Sequence, residues 1–206
     1  MKYGIMSLLF GLLAFTFSCT SASEEPAADE ATEVATEGTD EAQVVASTDA
    51  YTTVITEDGI ASPRKQMTGT IDGVELSIDY GSPAVKGREI WGGLNAFGQI
   101  WRAGANAATT ITFAEDVLVE GEALAAGKYA LFIIPDATAT VVVFNTVTDQ
   151  WGAGSYDEAT DALRVSVAPE VVEANQESLE YMVVDNQVVL AWADWQIPFA
   201  VSAVAE

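Results

Sequence analysis

The sequence predicts an all-β fold, an antiparallel β-sandwich or jelly roll of about 8–10 short strands, over residues 61–206. Three observations carry this. The periodic segments nearly all have period two: Val74, Leu76, Ile78 and Tyr80 alternate with Glu75, Ser77 and Asp79, the pattern of a strand with one buried face. Turn dipeptides such as Asp72-Gly73 and Glu120-Gly121 punctuate these segments at short intervals, as chain reversals between strands require. Two runs, Lys128 to Ile134 and Thr140 to Asn145, are too apolar for an exposed sheet and belong at its centre, covered on both faces.

Taken in order, Thr68 to Tyr80 reads as a hairpin about Asp72-Gly73, followed by strands at Thr109 to Phe113 and Val117 to Val119. After the two apolar runs, Asp149 to Tyr156 is a loop that holds Trp151 among polar and glycine residues. Leu163, Val165 and Val167 alternate with Arg164 and Ser166. Leu179 to Val184 and Val188 to Trp195 flank Asp185-Asn186-Gln187 as a second hairpin, and Ile197 to Val204 closes the domain. Trp192 and Trp195 lie on one alternating strand, so at most one of them is expected to face the core on a given side. Helical turns are expected only at Val171 to Glu177 and around Leu94-Asn95-Ala96.

The N-terminus reads as a processed segment. Met1-Lys2 is a short positive region, and Ile5 to Phe17 is an apolar run of 13 residues, too short for a transmembrane helix but right for a signal peptide. Cys19, the chain's one cysteine, follows it. We therefore expect a lipoprotein signal peptide at 1–18 and lipid attachment at Cys19, which makes the membrane a partner and the cell envelope, at the outer membrane, the location. A plain signal peptide or an uncleaved anchor are the alternatives. Residues 20–60 carry eleven acids and no base, so 19–60 is expected to be a disordered acidic tether. Ser23-Glu24-Glu25 resembles an export signal that sends some Bacteroidetes-type lipoproteins to the outer face of the outer membrane.

The chain of 206 residues has 31 acids, 8 Lys/Arg and a formal net charge of −23. The domain alone has 20 acids against 7 bases, so nucleic acid, which demands a basic footprint, is not expected as a partner. The absence of His and the absence of Cys beyond residue 19 remove Ser-His and Cys-His nucleophile pairs and His-ligated metal sites. No phosphate-binding loop or dinucleotide fingerprint is present. No cofactor and no metal site are expected. Paired-carboxylate chemistry of the glycosidase kind survives this elimination, with Glu89, Asp157 and Glu158 as candidates. Asp149, Asp157, Glu158 and Asp161 share one region, but without a calcium-loop pattern they read as solvated loop acids.

The functional signal is concentrated in Lys86 to Phe113, which holds Trp91, Trp101, Lys86, Arg88 and Arg102 among five glycines. With Arg64 and Lys65 just upstream, five of the eight Lys/Arg fall between residues 64 and 102. Arg88, Trp91, Trp101, Arg102, Asn106 and Trp151 are the candidate ligand-binding residues. Either the arginines pair with carboxylates at the sheet margin, or their planar donors clamp an anionic or polyhydroxyl ligand. The tryptophans either pack the core or form a sugar platform. Asn106 suits a tight turn in which it satisfies buried backbone groups. The residue types favour a binding module for a small molecule, glycan or partner protein, with no catalytic residue assigned. The alternatives are a glycan-acting hydrolase and a structural lipoprotein without ligand.

Ordered motifs in this region also carry a resemblance. Lys86-Gly87-Arg88-Glu89-Ile90-Trp91-Gly92, Gly98-Gln99-Ile100-Trp101-Arg102-Ala103-Gly104-Ala105-Asn106 and Ala108-Thr109-Thr110-Ile111 resemble the bacterial family named only as domain of unknown function 2911. Ala126-Gly127-Lys128-Tyr129-Ala130-Leu131-Phe132, Ile134-Pro135, Asn145 and Gln150-Trp151-Gly152 extend the likeness from about Ser62 to the C-terminus. The chain departs from the pattern at Ala107, where an acid is usual, and at Phe144, where a smaller aliphatic residue is usual. The resemblance implies an exported protein of Bacteroidetes-type bacteria and singles out the Arg88 to Asn106 segment. It brings no catalytic residues with it.

Overall fold

The computed structural model describes residues 43–205. The expected signal peptide at 1–18, Cys19 and the tether as far as residue 42 lie outside the described residues. Among the described residues there are twelve strands: β1 (Gln43–Ser47), β2 (Tyr51–Glu57), β3 (Arg64–Ile71), β4 (Val74–Gly81), β5 (Thr109–Phe113), β6 (Val117–Val119), β7 (Glu122–Leu124), β8 (Gly127–Ile134), β9 (Thr140–Asn145), β10 (Asp161–Val167), β11 (Glu170–Val184) and β12 (Gln187–Ala203). They form two antiparallel sheets, one ordered β1-β2-β3-β4-β5-β8-β9-β10 and the other β11-β12-β6-β7. Inward residues of both sheets, among them Met67, Ile78, Ile111, Leu131 and Phe144 from the first and Tyr181, Leu190 and Phe199 from the second, share one core. The fold is a β-sandwich.

The alternating segments occupy the expected strands because each has one face to bury. In β4, Val74, Leu76, Ile78 and Tyr80 are buried while Glu75 is exposed. β8 and β9 lie inside the larger sheet and pair with each other. Their apolar runs are covered on both faces, as expected of buried strands. Tyr129, Leu131 and Ile133 join the main core, whereas Ala130 and Phe132 form a second, smaller cluster with Ile100, Ala153 and Tyr156 packed against it.

Four expectations are corrected. The tether does not reach residue 60, because β1 and β2 extend the larger sheet at one edge. Tyr51 to Ile55 is β-branched and aromatic, which suits a pleated, half-buried strand. Thr53 is 1% exposed within it. Within residues 61–206 the strands number ten, β3 to β12, as expected, although β11 and β12 are long. Val171 to Glu177 is strand, not helix: it belongs to β11, which is irregular here, with register shifts between Val171 and Gln176 and again before Glu180. Around Leu94-Asn95-Ala96 there is no helix: residues 92–94 form a turn, closed by bonds from Leu94 N to Glu89 O at 2.9 Å and from Asn95 N to Ile90 O at 2.8 Å, and Asn95 bridges back to Trp91.

The fourth correction concerns β12, which continues through Trp195-Gln196 instead of ending there. Val188, Leu190 and Trp192 face the core, and so do Trp195, Ile197, Phe199 and Val201. The inward set therefore changes from even to odd numbers. The change falls at Ala193, whose φ is +54°. A residue in that conformation acts as a β-bulge and shifts the alternation by one. Both tryptophans are thus buried on the same side, which simple alternation forbids.

Candidate functional site

Residues 82–108 join β4 to β5 as a long crossover, and they lie across one end of the sandwich. Their start is tied to β11: Val85 N donates to Glu177 O at 2.7 Å, Leu179 N to Pro83 O at 3.0 Å, and Ser82 Oγ to Leu179 O at 2.8 Å. Their later part is tied to β8, where Trp101 and Ile133 exchange two backbone bonds of 2.8 Å. Gly81 and Gly104 permit the closest approach. A Cβ on Gly81 would collide with the Ala105 carbonyl, and one on Gly104 would lie 2.6 Å from Thr109 Oγ1. Tyr181 Oη and Thr109 Oγ1 both donate to Ala103 O, at 2.9 and 3.0 Å. Burial pushes the Tyr181 hydroxyl well above its ordinary pKa, so it remains a donor.

Four indoles hold the crossover against β12. Trp91 stacks on Trp195 with centroids 4.9 Å apart, and Trp101 stacks on Trp192 at 5.6 Å. Trp91 also meets Trp101 edge-on at 5.7 Å and donates from Nε1 to Trp192 O at 3.1 Å. Trp101 Nε1 donates to Gly104 O at 3.2 Å. Trp91 and Trp101 are buried, so their main role is packing.

Arg88 and Arg102 line one cleft of about 340 Å³, with Trp101 and Trp192 in its wall and Asn95, Asn106 and Ser62 beside them. No Asp or Glu among the described residues lines it. Among the described residues the ion pairs join Arg64 to Asp79, Lys65 to Glu180, and Arg164 to Asp161 and Glu158. Neither Arg88 nor Arg102 takes part. Arg88 donates from Nε to Val85 O at 2.9 Å and from Nη2 to Ala84 O, so backbone carbonyls, not an acid, fix its head group. Arg102 Nε is buried and has no hydrogen-bond partner among the described residues. Burial pushes its guanidinium below the ordinary arginine pKa, but an arginine stays charged in any physiological medium.

Two further cleft residues share this condition. Asn95 Nδ2 and Trp192 Nε1 are buried and have no hydrogen-bond partner among the described residues. An unpaired buried donor is costly, on the order of 1–3 kcal/mol, and such groups are rare enough to require an explanation. Asn95, Arg102 and Trp192 all line this one cleft, and the unpaired atom of each is a donor, which matches an acceptor-rich ligand.

The remaining sequence candidates are split. Trp151 is 76% exposed and lines a neighbouring cleft of about 640 Å³ with Arg64, Asp79, Glu57, Ser62 and Asn106. Asn106 has a left-handed φ of +63°, which asparagine tolerates better than most residues. Its carbonyl accepts from Gly152 N at 3.1 Å. Its side chain makes no hydrogen bond to the backbone among the described residues, so the expected backbone-satisfying role is not the one observed. Asp157 caps a 3-10 turn through Ala159 N at 3.0 Å, and Glu158 pairs with Arg164. Glu89 instead lines a third cleft with Asp194; both are exposed, unlike the shielded carboxylic acid that such chemistry favours. Among the described residues no group of His, Cys, Asp and Glu is arranged to hold a metal ion. Sequence reasoning passed over Asn95 and Trp192. Asn95 stood in plain view between Trp91 and Trp101, whereas Trp192 joins the cleft from about 90 residues away, through the packing of β12.

The contrast between paired and unpaired cations is testable by urea unfolding. Lys65→Met should strand the Glu180 carboxylate, which also accepts from Tyr80 Oη at 2.8 Å, and cost about 3 kcal/mol. Arg102→Ala should not destabilise the fold, because it strands no carboxylate and removes a buried unpaired donor. An equal loss in both variants would make Arg102 a structural residue.

Comparison with curated proteins and with solved structures finds no match. The family model described as protein of unknown function (DUF2911) matches residues 62–201, which takes in the crossover, the four indoles and the cleft. The chain belongs to that family.

Proposed function

We propose that this protein is a lipid-anchored binding module of the cell envelope, whose cleft at Arg88 and Arg102 takes the anionic group of a small ligand. The observation that carries the reading is the donor set. In a chain with 31 acids, the described residues of this cleft include two guanidinium groups, one with an unpaired buried Nε–H, two further unpaired buried donors on Asn95 and Trp192, and no carboxylate. Its stacked indoles supply apolar wall, and apolar walls with a few convergent polar groups are the usual composition of a ligand site. Arg88 contributes chiefly charge, since two of its nitrogens already hold backbone carbonyls. Arg102 contributes both charge and a free hydrogen-bonding edge. No reacting group is part of this reading. The donors bind, orient and select.

Thermal shift with a panel of organic anions tests the cleft. Carboxylates should raise the midpoint of the wild-type chain, and neutral amides of the same shape should not. Arg102→Ala should weaken the response by about 10- to 100-fold in concentration, the worth of one charge-assisted bond of about 1.5–3 kcal/mol. A panel in which no anion stabilises the wild type would overturn the reading.

The anchor is tested separately. The apolar run before Cys19 and the acids after it support lipid attachment there. Cys19→Ala should release soluble protein or leave the precursor unprocessed. A Cys19→Ala protein that still fractionates as a mature membrane species would refute the anchor while leaving the cleft untouched.

A further inference from the structure

The anion cleft does not end at Asn106. Ser62 and Asn106 line both it and the neighbouring cleft that holds Trp151, so the two clefts adjoin across these residues. Arg102 reaches the junction too: a Cβ built on Gly152, next to Trp151, would lie 3.7 Å from Arg102 Nη1.

Trp151 itself is unusual. Single exposed apolar residues are ordinary, but this one is a tryptophan with a fixed backbone. Residues Ala107 and Trp151 form a bridge, flanked by bonds from Ala108 N to Gln150 O at 2.9 Å and from Gly152 N to Asn106 O at 3.1 Å. The segment that carries Arg102 and Asn106 thus also sets where the exposed indole stands. A large apolar ring carried on a fixed backbone at the rim of a cleft is suited to stacking, because less freedom is lost when a flat partner settles on it.

The charges divide along the same line. Among the described residues the cleft at Arg88 and Arg102 has no acid. The cleft at Trp151 contains Glu57 and Asp79, with Arg64 paired to Asp79. Acceptors such as these suit the hydroxyl donors of a neutral ring and repel a second anion. Resting on the anion-binding reading above, we propose that the ligand is an acidic sugar unit, with its anionic group at Arg102 and Arg88 and its hydroxylated ring on Trp151. A simple organic acid would fill the first cleft only, and a neutral sugar the second only.

Calorimetry on the full chain with glucuronate, glucose and propionate separates these cases. Glucuronate should bind at least about tenfold more tightly than propionate, and glucose should bind more weakly than either. Trp151→Ala should bring glucuronate down to the level of propionate without changing propionate affinity, and Trp151→Tyr should restore part of the difference. Arg102→Ala should weaken glucuronate and propionate alike. Because the indole is exposed, Trp151→Ala should unfold at the same midpoint as the wild type, and a lower midpoint would mean that the ring packs the fold and overturn the platform. Equal binding of glucuronate and propionate, unaffected by Trp151→Ala, would overturn the sugar assignment and leave the anion cleft standing. Glucose bound as tightly as glucuronate would overturn the acidic part. If neither acid binds, the anion reading fails and this inference falls with it.

Discussion

Trp91 lies nearly parallel to Trp195 at 4.9 Å, Trp101 lies on Trp192 at 5.6 Å, and the two pairs meet edge-on. This contact joins the crossover after β4 to β12, and the backbone bonds of Trp101 join the same crossover to β8. Both sheets therefore grip one segment. Aromatic pairs of this geometry contribute about 0.5–1.5 kcal/mol each beyond their buried area, enough to hold an irregular segment that has little ladder of its own. The bulge at Ala193 is a condition of the arrangement, since without it Trp192 and Trp195 would face opposite ways. Everything proposed for the cleft depends on this clamp. It fixes the backbone of Arg102 while leaving the guanidinium without an acid.

The surrounding charge makes that isolation informative. At a net charge of −23, the field of the whole chain repels anions, so long-range steering cannot bring one to the cleft. Any affinity must come from short-range bonds to groups whose partners are missing. Among the described residues Arg64, Lys65 and Arg164 pair with carboxylates, whereas the exposed Lys86 and Lys128 do not. Arg88 also borders the cleft of Glu89 and Asp194, whereas Arg102 lines a cleft that no Asp or Glu among the described residues enters. The same field works against extended polyanions, which would have to lie over the acidic surface, and favours a ligand whose charge is local.

Local pattern accounts for most of what could be read in advance. β5, β6 and β9 coincide with the segments that alternation and β-branching mark out, because a strand with one or two buried faces writes its period directly into the chain. The bulge left no such mark: alanine at φ +54° carries none of the signal that glycine or asparagine would. β1 and β2 were concealed by averaging, since the acids around them dominate the composition of residues 20–60. For the site, the basic and aromatic density of residues 86–113 pointed to the correct crossover, and Arg88, Trp101, Arg102 and Asn106 do share a cleft. Trp151 went to the adjoining cleft and Trp91 into the packing. Which donors would be left unpaired was not legible, because that depends on carboxylates elsewhere choosing other partners.

Side-chain nitrogen–proton spectroscopy addresses the claim at the atoms concerned. The Arg102 Nε–H, Trp192 Nε1–H and Asn95 Nδ2 signals, assigned with Trp192→Phe and Asn95→Ala variants, can be followed while a carboxylate is titrated into the labelled protein. All three should shift and saturate with one common dissociation constant, as their missing acceptor arrives. If these signals stay in place while the anion binds elsewhere, or if no signal of the cleft moves, the unpaired donors are not a ligand site.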